Sequence, residues 1–160
     1  MLSTLNLRAA LCAALVLSST AAFATDPANG TLTPTSGPLT FSGGPYFVSD
    51  PTAGCEDPPG ACDEFLLTVD LPAGYAASHP QDSLLIELTW NPQETDLDLK
   101  LLNEDGSERG SSGSGPGTPE RISIPITAEE FATAKNLRVV VIPFAAGGAT
   151  ASARITLVSP

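Results

Sequence analysis

Ser83–Trp90 reads SLLIELTW, and Asp96–Leu101 reads DLDLKL. In the first stretch Leu84, Ile86, Leu88 and Trp90 share one phase, while Leu85, Glu87 and Thr89 share the other. In the second, Leu97, Leu99 and Leu101 alternate with Asp96, Asp98 and Lys100. Side chains alternate across a strand, so a period of two residues that separates apolar from polar marks a strand with one face in a core. After the second run, Asn103-Glu104-Asp105-Gly106 supplies turn chemistry.

The same period extends in both directions. Upstream, Phe65, Leu67, Val69 and Leu71 alternate with Leu66, Thr68 and Asp70. Downstream, Ile122, Ile124 and Ile126 form a further run, Leu137–Phe144 is almost continuously apolar, and Ala151–Val158 turns Ile155 and Leu157 inward. Short strands are predicted at Thr31–Thr33 and Leu39–Phe41, with an edge at Tyr46–Val48. The chain carries 14 Gly and 15 Pro in 160 residues, so it turns often. Gly110–Pro119 (GSSGSGPGTP) reads as a flexible hairpin loop. A helix is predicted only from Thr127 to Lys135, where Thr127 and Glu130 form a capping box ahead of Phe131, Ala132 and Ala134. Regularly spaced short strands predict an all-β fold, an antiparallel β-sandwich of jelly-roll type with one short helical turn. Its core is expected to hold Leu67, Val69, Ile86, Leu88, Trp90, Leu99, Val139, Val141 and Ile155. Trp90, in register with leucines, is read as a core residue rather than a platform for stacking sugars.

Residues 1–24 read as a signal peptide. Arg8 is the only charge before Asp26; the apolar run Ala9–Leu17 follows it, and Ala22-Phe23-Ala24 supplies small residues for cleavage after Ala24. The run is too short to span a bilayer, and no later stretch suffices, since the most apolar one contains Pro143. Residues 25–45 form a Pro- and Gly-rich N-terminal segment, and 46–160 the β-sandwich domain. The expected location is secreted or periplasmic.

Charge narrows the partners. With 18 acidic against 7 basic side chains the chain is net −11, which excludes a basic nucleic-acid binder. Cys55 and Cys62 flank Glu-Asp-Pro-Pro-Gly-Ala, and in an oxidising compartment so close a pair reads as one disulfide closing a surface loop. The alternative, a zinc site, has a single His, His79, to draw on and must take carboxylates for the rest. Carboxylates gather in two places. Glu56, Asp57, Asp63 and Glu64 crowd the cysteine loop, and Asp96 and Asp98 share one face of a strand. Both sets read either as solvated faces or as oxygen ligands for calcium, with the cysteine loop the first place to look because loops wrap ions more readily than strands.

Catalytic signatures are lacking. The loop GSSGSGPG does not have the Gly-x-Ser-x-Gly spacing of a nucleophile elbow, and it has no lysine to serve as a phosphate-binding loop. His79 lies in the loop Ser78-His79-Pro80, where an isolated histidine is ordinarily solvated.

Three blocks, CDEFLLTVDLPAGY (Cys62–Tyr75), SLLIELTWNPQETDLDLKLLNEDGS (Ser83–Ser107) and LRVVVIPFAAGGATASARITL (Leu137–Leu157), together resemble the bacterial pre-peptidase C-terminal domain family over about residues 60–158. The resemblance rests on a tryptophan-ended strand, a D-x-D-L strand followed by a turn, and a closing V-x-V-x-P-F strand with a glycine-containing hairpin. It implies a jelly-roll-like sandwich that accompanies secreted enzymes without being catalytic, some relatives binding calcium and a protein substrate. The expected function is thus a secreted non-catalytic binding or accessory module. Its partner would be an extracellular or periplasmic protein or glycan, and calcium is the only cofactor considered. The competing readings are a calcium-dependent adhesion or carbohydrate-binding module and a small secreted hydrolase.

Overall fold

The computed structural model describes residues 25–55 and 61–160. The segment read as a signal peptide, with Ala24 at its end, lies outside the described residues, as do Glu56 and Asp57. The described residues form nine strands: β1 (Asn29–Leu32), β2 (Leu39–Tyr46), β3 (Asp63–Val69), β4 (Ser83–Asn91), β5 (Asp96–Asn103), β6 (Glu108–Ser112), β7 (Glu120–Pro125), β8 (Lys135–Ala145) and β9 (Ala149–Val158). They build two sheets, one in the order β1-β3-β8-β5-β6 and the other β2-β9-β4-β7. Between β2 and β9 only the β5–β6 connection stays within a sheet; every other one crosses. This is the strand order of a jelly roll. β1 is added parallel to β3 at one edge, Leu32 lying opposite Val69. The first two strands thus arise within the Pro- and Gly-rich segment and extend both sheets.

All nine residues expected in the core are buried there. Cross-strand pairing explains how two sheets close over them. On β4 and β9, Leu88 faces Ala153 and Trp90 faces Ala151, so large side chains on one strand sit beside small ones on the next. The opposite sheet then interdigitates without overpacking. Phe41 of β2 stacks on Phe65 of β3 across the sandwich with ring centroids 4.6 Å apart. Trp90 packs in the core and donates its indole N–H to the Thr95 carbonyl at 3.0 Å, which satisfies the one polar group it buries.

The helical turn is present at a different place from the one predicted. It spans Tyr75–Ser78, in a stretch read from the sequence as loop. At Thr127 the capping geometry forms only in part. Phe131 N–H donates to the Thr127 carbonyl at 3.0 Å, and Glu130 N–H to the Thr127 hydroxyl at 3.3 Å. The turn stops there because Phe131 is drawn into the core under the Arg109 guanidinium, 5.5 Å from its ring, while Arg109 pairs with Glu130 at 3.0 Å. A single turn has little cooperativity with which to resist such contacts. The segment Gly110–Pro119 also differs from expectation: it begins inside β6 and then crosses from one sheet to the other instead of closing a hairpin. Among the described residues, no helix is long and apolar enough to cross a membrane.

Candidate functional site

The outward phase of the five-stranded sheet carries two adjoining hollows. Strand pairing sets Leu66 beside Arg138 and Arg138 beside Leu102, with Asn29 opposite Leu66 on the other side. Leu66 is 51% exposed, although its inward neighbours Phe65 and Leu67 are buried. A hollow of about 360 Å³ lies here, lined by Asn29, Thr31, Leu66, Thr68, Asn136 and Arg138. The polar side chains around it are already ordered: Thr68 donates to Asn136 Oδ1 at 3.2 Å, and Arg138 pairs with Glu64 at 3.5 Å. A second hollow of about 500 Å³ continues beyond Arg138, between Cys55, Cys62, Glu64, Lys100 and Glu108.

The rim of that second hollow is built by the cysteine loop. Cys55 and Cys62 are bonded, as their spacing predicted, with Cα atoms 5.4 Å apart. The loop approaching Cys55 is organised by Asp50, which the sequence reading passed over. Its carboxylate accepts from the Thr52 hydroxyl at 2.6 Å, the Thr52 N–H at 3.2 Å and the Cys55 N–H at 2.6 Å. Its own N–H donates to the Pro143 carbonyl at 2.8 Å. Burial works against the charge on Asp50, but these donors and the Gly54 N–H outweigh it and hold the carboxyl below the usual range. Lys100 of β5 fastens the same loop from below, donating to the Ala53 carbonyl at 2.8 Å. The Asp-Pro-Thr sequence at 50–52 is a local signature of such a turn. Asp50, Cys55 and Cys62 also place one oxygen and two sulfurs within 4.8 Å of one another. Because both sulfurs are spent in the disulfide, the group offers a metal only one carboxylate.

Of the four carboxylates expected to share an ion beside this loop, Glu56 and Asp57 lie outside the described residues; of the other two, Asp63 points into the sandwich and Glu64 away from it, as neighbours on a strand must. Asp63 is fully buried, accepting from the Tyr46 hydroxyl at 2.8 Å and the Gly44 N–H at 3.0 Å. Gly43 makes this possible, since a Cβ there would fall 2.3 Å from the Tyr46 hydroxyl oxygen and 2.6 Å from the carboxylate. Burial, helped by the Asp63 charge and this hydrogen bond, drives the Tyr46 hydroxyl far above its usual range.

Asp96 and Asp98 do share a side of β5, across an irregularity in its pairing with β8. Asp96 is buried, and its Oδ1 has no hydrogen-bond partner. Burial raises its carboxyl, and so does the charge of Glu120. Burial pushes Asp98 up to about 6, reinforced by Asp96 and Glu120 and offset in part by Lys100. Glu120, at the start of β7, is itself fully buried; it accepts from the Ser112 hydroxyl and from the Ser114 N–H at 2.7 Å.

His79 follows α1 (Tyr75–Ser78) and is exposed. Its ring stacks on Tyr75 with centroids 4.1 Å apart, and its Nδ1 lies 2.9 Å from the Ser78 hydroxyl. Asp82, nearby, spends its oxygens on the Tyr75 hydroxyl at 2.7 Å and the Ser159 hydroxyl at 2.6 Å. Those two hydrogen bonds hold Asp82 below the usual carboxylate range. Ser78, His79 and Asp82 therefore form no continuous serine-to-histidine-to-carboxylate chain of hydrogen bonds, because the acid's oxygens are bonded to Tyr75 and Ser159.

No family model matches the sequence, and no curated protein matches it. Among solved structures, the chain is similar to the crystal structure of the pre-peptidase C-terminal domain of collagenase from Bacillus anthracis, at 8% sequence identity and a TM-score of 0.43, over 81% of this chain and 94% of that one.

Proposed function

We propose that this chain is a non-catalytic binding module that acts outside the cytoplasm, in the medium or the periplasm, and takes its partner on the outward face of the five-stranded sheet. The observation that carries this reading is the pair of hollows that share Arg138, one of which holds a half-exposed leucine among hydrogen-bonded polar side chains. An apolar contact with hydrogen-bond donors and acceptors fixed around it is the usual composition of a recognition surface. The bonded cysteine loop stiffens one end of that surface and reduces the entropy lost when a partner docks. The partner is an extracellular or periplasmic protein or a glycan. Catalysis is not part of the reading, and the arrangement around His79 supports its omission.

Binding of the purified chain to a glycan array and to cross-linked partners from the exported fraction tests this. Leu66→Glu and Arg138→Ala point outward and should leave the melting temperature nearly unchanged while abolishing the interaction. Retention of full binding by both variants would move the site elsewhere. Hydrolysis of peptide, ester or glycoside substrates that is lost in His79→Ala would replace the reading with an enzymatic one.

A further inference from the structure

We propose that the free edge of β1 takes up an extended, basic polypeptide segment as a sixth strand of the five-stranded sheet. The proposal rests on the reading of this sheet as the binding surface and narrows its partner to a protein. β1 lies at the end of the order β1-β3-β8-β5-β6 and pairs parallel with β3, Gly30 opposite Leu67 and Leu32 opposite Val69. In that ladder the Leu66 N–H donates to the Ala28 carbonyl at 3.0 Å and the Asp70 N–H to the Leu32 carbonyl at 2.9 Å. Backbone groups alternate in direction along a strand, so those of Gly30 and Leu32 face β3 while those of Asn29 and Thr31 face away from the sheet. Both of these residues are exposed, and among the described residues no hydrogen bond reaches their N–H or C=O groups. The open run stops at Thr33, whose N–H goes to the Ser36 hydroxyl at 3.1 Å.

The other three edges of the sandwich are engaged. Along β2, the Asp26 N–H donates to the Ser42 carbonyl at 2.8 Å and the Ser42 N–H returns to the Asp26 carbonyl at 3.0 Å. The register of β2 on β9 also shifts between Gly43 and Tyr46. The edges of β6 and β7 are laced to each other, since the Ser112 hydroxyl donates to Glu120 and accepts from the Arg121 N–H at 3.2 Å. Covering, bulging and charging are the ordinary protections of an edge. β1 is regular in register and carries no charged side chain.

Two features identify the occupant. The free N–H and C=O groups recur every second residue, about 6.6 Å apart, which is the repeat of an extended main chain and the basis of strand addition. Charge supplies the other. No lysine or arginine lies between Arg8 and Lys100, so the stretch that builds β1 to β3 contributes acids alone. Asp26 precedes β1, and Asp70 bonds Leu32 at its far end; both are exposed, and neither belongs to the ion pairs formed among the described residues. A strand laid along β1 therefore passes an aspartate at each end, and lysines or arginines at its own ends complement them. Its outward side chains stand beside Asn29 and Thr31, on the rim of the hollow that holds Leu66, where a long aliphatic stem finds an apolar surface.

The probe is the acetylated and amidated peptide Lys-Val-Thr-Val-Thr-Lys, compared with the same peptide bearing Glu in place of both Lys and with one N-methylated at alternate residues. Added to the isotope-labelled chain, the lysine peptide should slow hydrogen exchange at the Asn29 and Thr31 amides and leave those of Gly30 and Leu32 as they were. Its affinity should fall with added salt, and the other two peptides should give no protection. Thr31→Pro removes an N–H from the free edge alone, so it should melt near the parent while binding the peptide about tenfold more weakly or worse. Asp70→Asn, which leaves the backbone intact, should weaken binding several-fold. Capture of partners from the exported fraction separates this proposal from the reading beneath it. Loss in both Leu66→Glu and Thr31→Pro supports strand addition; loss in Leu66→Glu alone keeps the sheet face as the site and overturns strand addition; retention in both overturns the two together. The proposal also falls if the lysine peptide leaves the Asn29 and Thr31 amides unprotected, or if the glutamate peptide protects them equally. Protection that grows with protein concentration in the absence of peptide would overturn it in favour of a second copy of the chain.

Discussion

Two neighbouring regions against the end of β8 treat buried acid in opposite ways. In the cysteine loop, Asp50, whose N–H bonds the Pro143 carbonyl, is surrounded by N–H and O–H donors and its carboxyl is held down. At the start of β5, Asp96, paired with Ala145, has no donor for Oδ1, and burial together with the charge of Glu120 pushes its carboxyl up. Both aspartates are buried, so burial alone sets neither direction; the donors supplied by the fold do. The first carboxylate closes a loop and has its valences filled. The second leaves its buried Oδ1 without a partner.

Both regions depend on one core, and damage there should erase the comparison. Leu88→Ala is expected to cost about 2 to 5 kcal/mol, read as a loss in the denaturant midpoint together with a red shift of Trp90 emission. Unchanged stability would mean that the two sheets do not close over β4. Replacing both Cys55 and Cys62 with Ser should cost about 2 to 3 kcal/mol, since the closed loop is short. That loss should appear as earlier hydrogen exchange around Asp50 and leave the amides of β7 protected. If protection at β7 falls equally, the two regions are not independent.

Asp50→Ala sharpens the contrast directly by leaving the N–H groups of Thr52 and Cys55 without an acceptor. A loss of about 2 kcal/mol is expected, with pH as its signature. A carboxyl held below its unfolded value contributes stability that is present above the unfolded pKa and disappears as pH falls through the folded one. The parent should therefore lose its advantage over Asp50→Ala on acidification below about pH 4. Asp98 has the reverse sign. Its folded pKa, about 6, lies above the unfolded value, so its contribution is greatest at low pH and declines as pH rises toward 6. The melting temperature of the parent relative to Asp98→Asn should drop over that interval, and a flat difference would refute the placement of Asp98 among unpaired charges.

The smallest effect is expected at the ion pair between Arg138 and Glu64, whose side chains are both about one-third or more exposed. Glu64→Gln should change stability by less than about 1 kcal/mol. If it matters, it should be in binding, because it frees Arg138 at the centre of the outward face. A larger thermal effect would show that this pair helps to hold the sheet.

The division between what was legible and what was not follows the range of the interactions. Alternation along Leu84–Trp90 and Leu97–Leu101 is a property of neighbouring residues, so the buried phase of each strand, the all-β class and the short-range Cys55–Cys62 bond could be read directly. The turn at Asp50 was equally local, written in Asp-Pro-Thr, and was overlooked. The capping box at Thr127 was also read from local chemistry and did not become a helix, because the burial of Phe131 and the Arg109–Glu130 pair outweighed one turn of backbone hydrogen bonds. Period-two patterning says which side of a strand is apolar, but not which strand lies next to which. It could not bring Glu120 into the charge environment of Asp98, nor hydrogen-bond Asp63 to Tyr46. Those outcomes belong to the jelly-roll crossovers, where pairing between residues distant in the chain decides which charges are given partners and which are left facing one another.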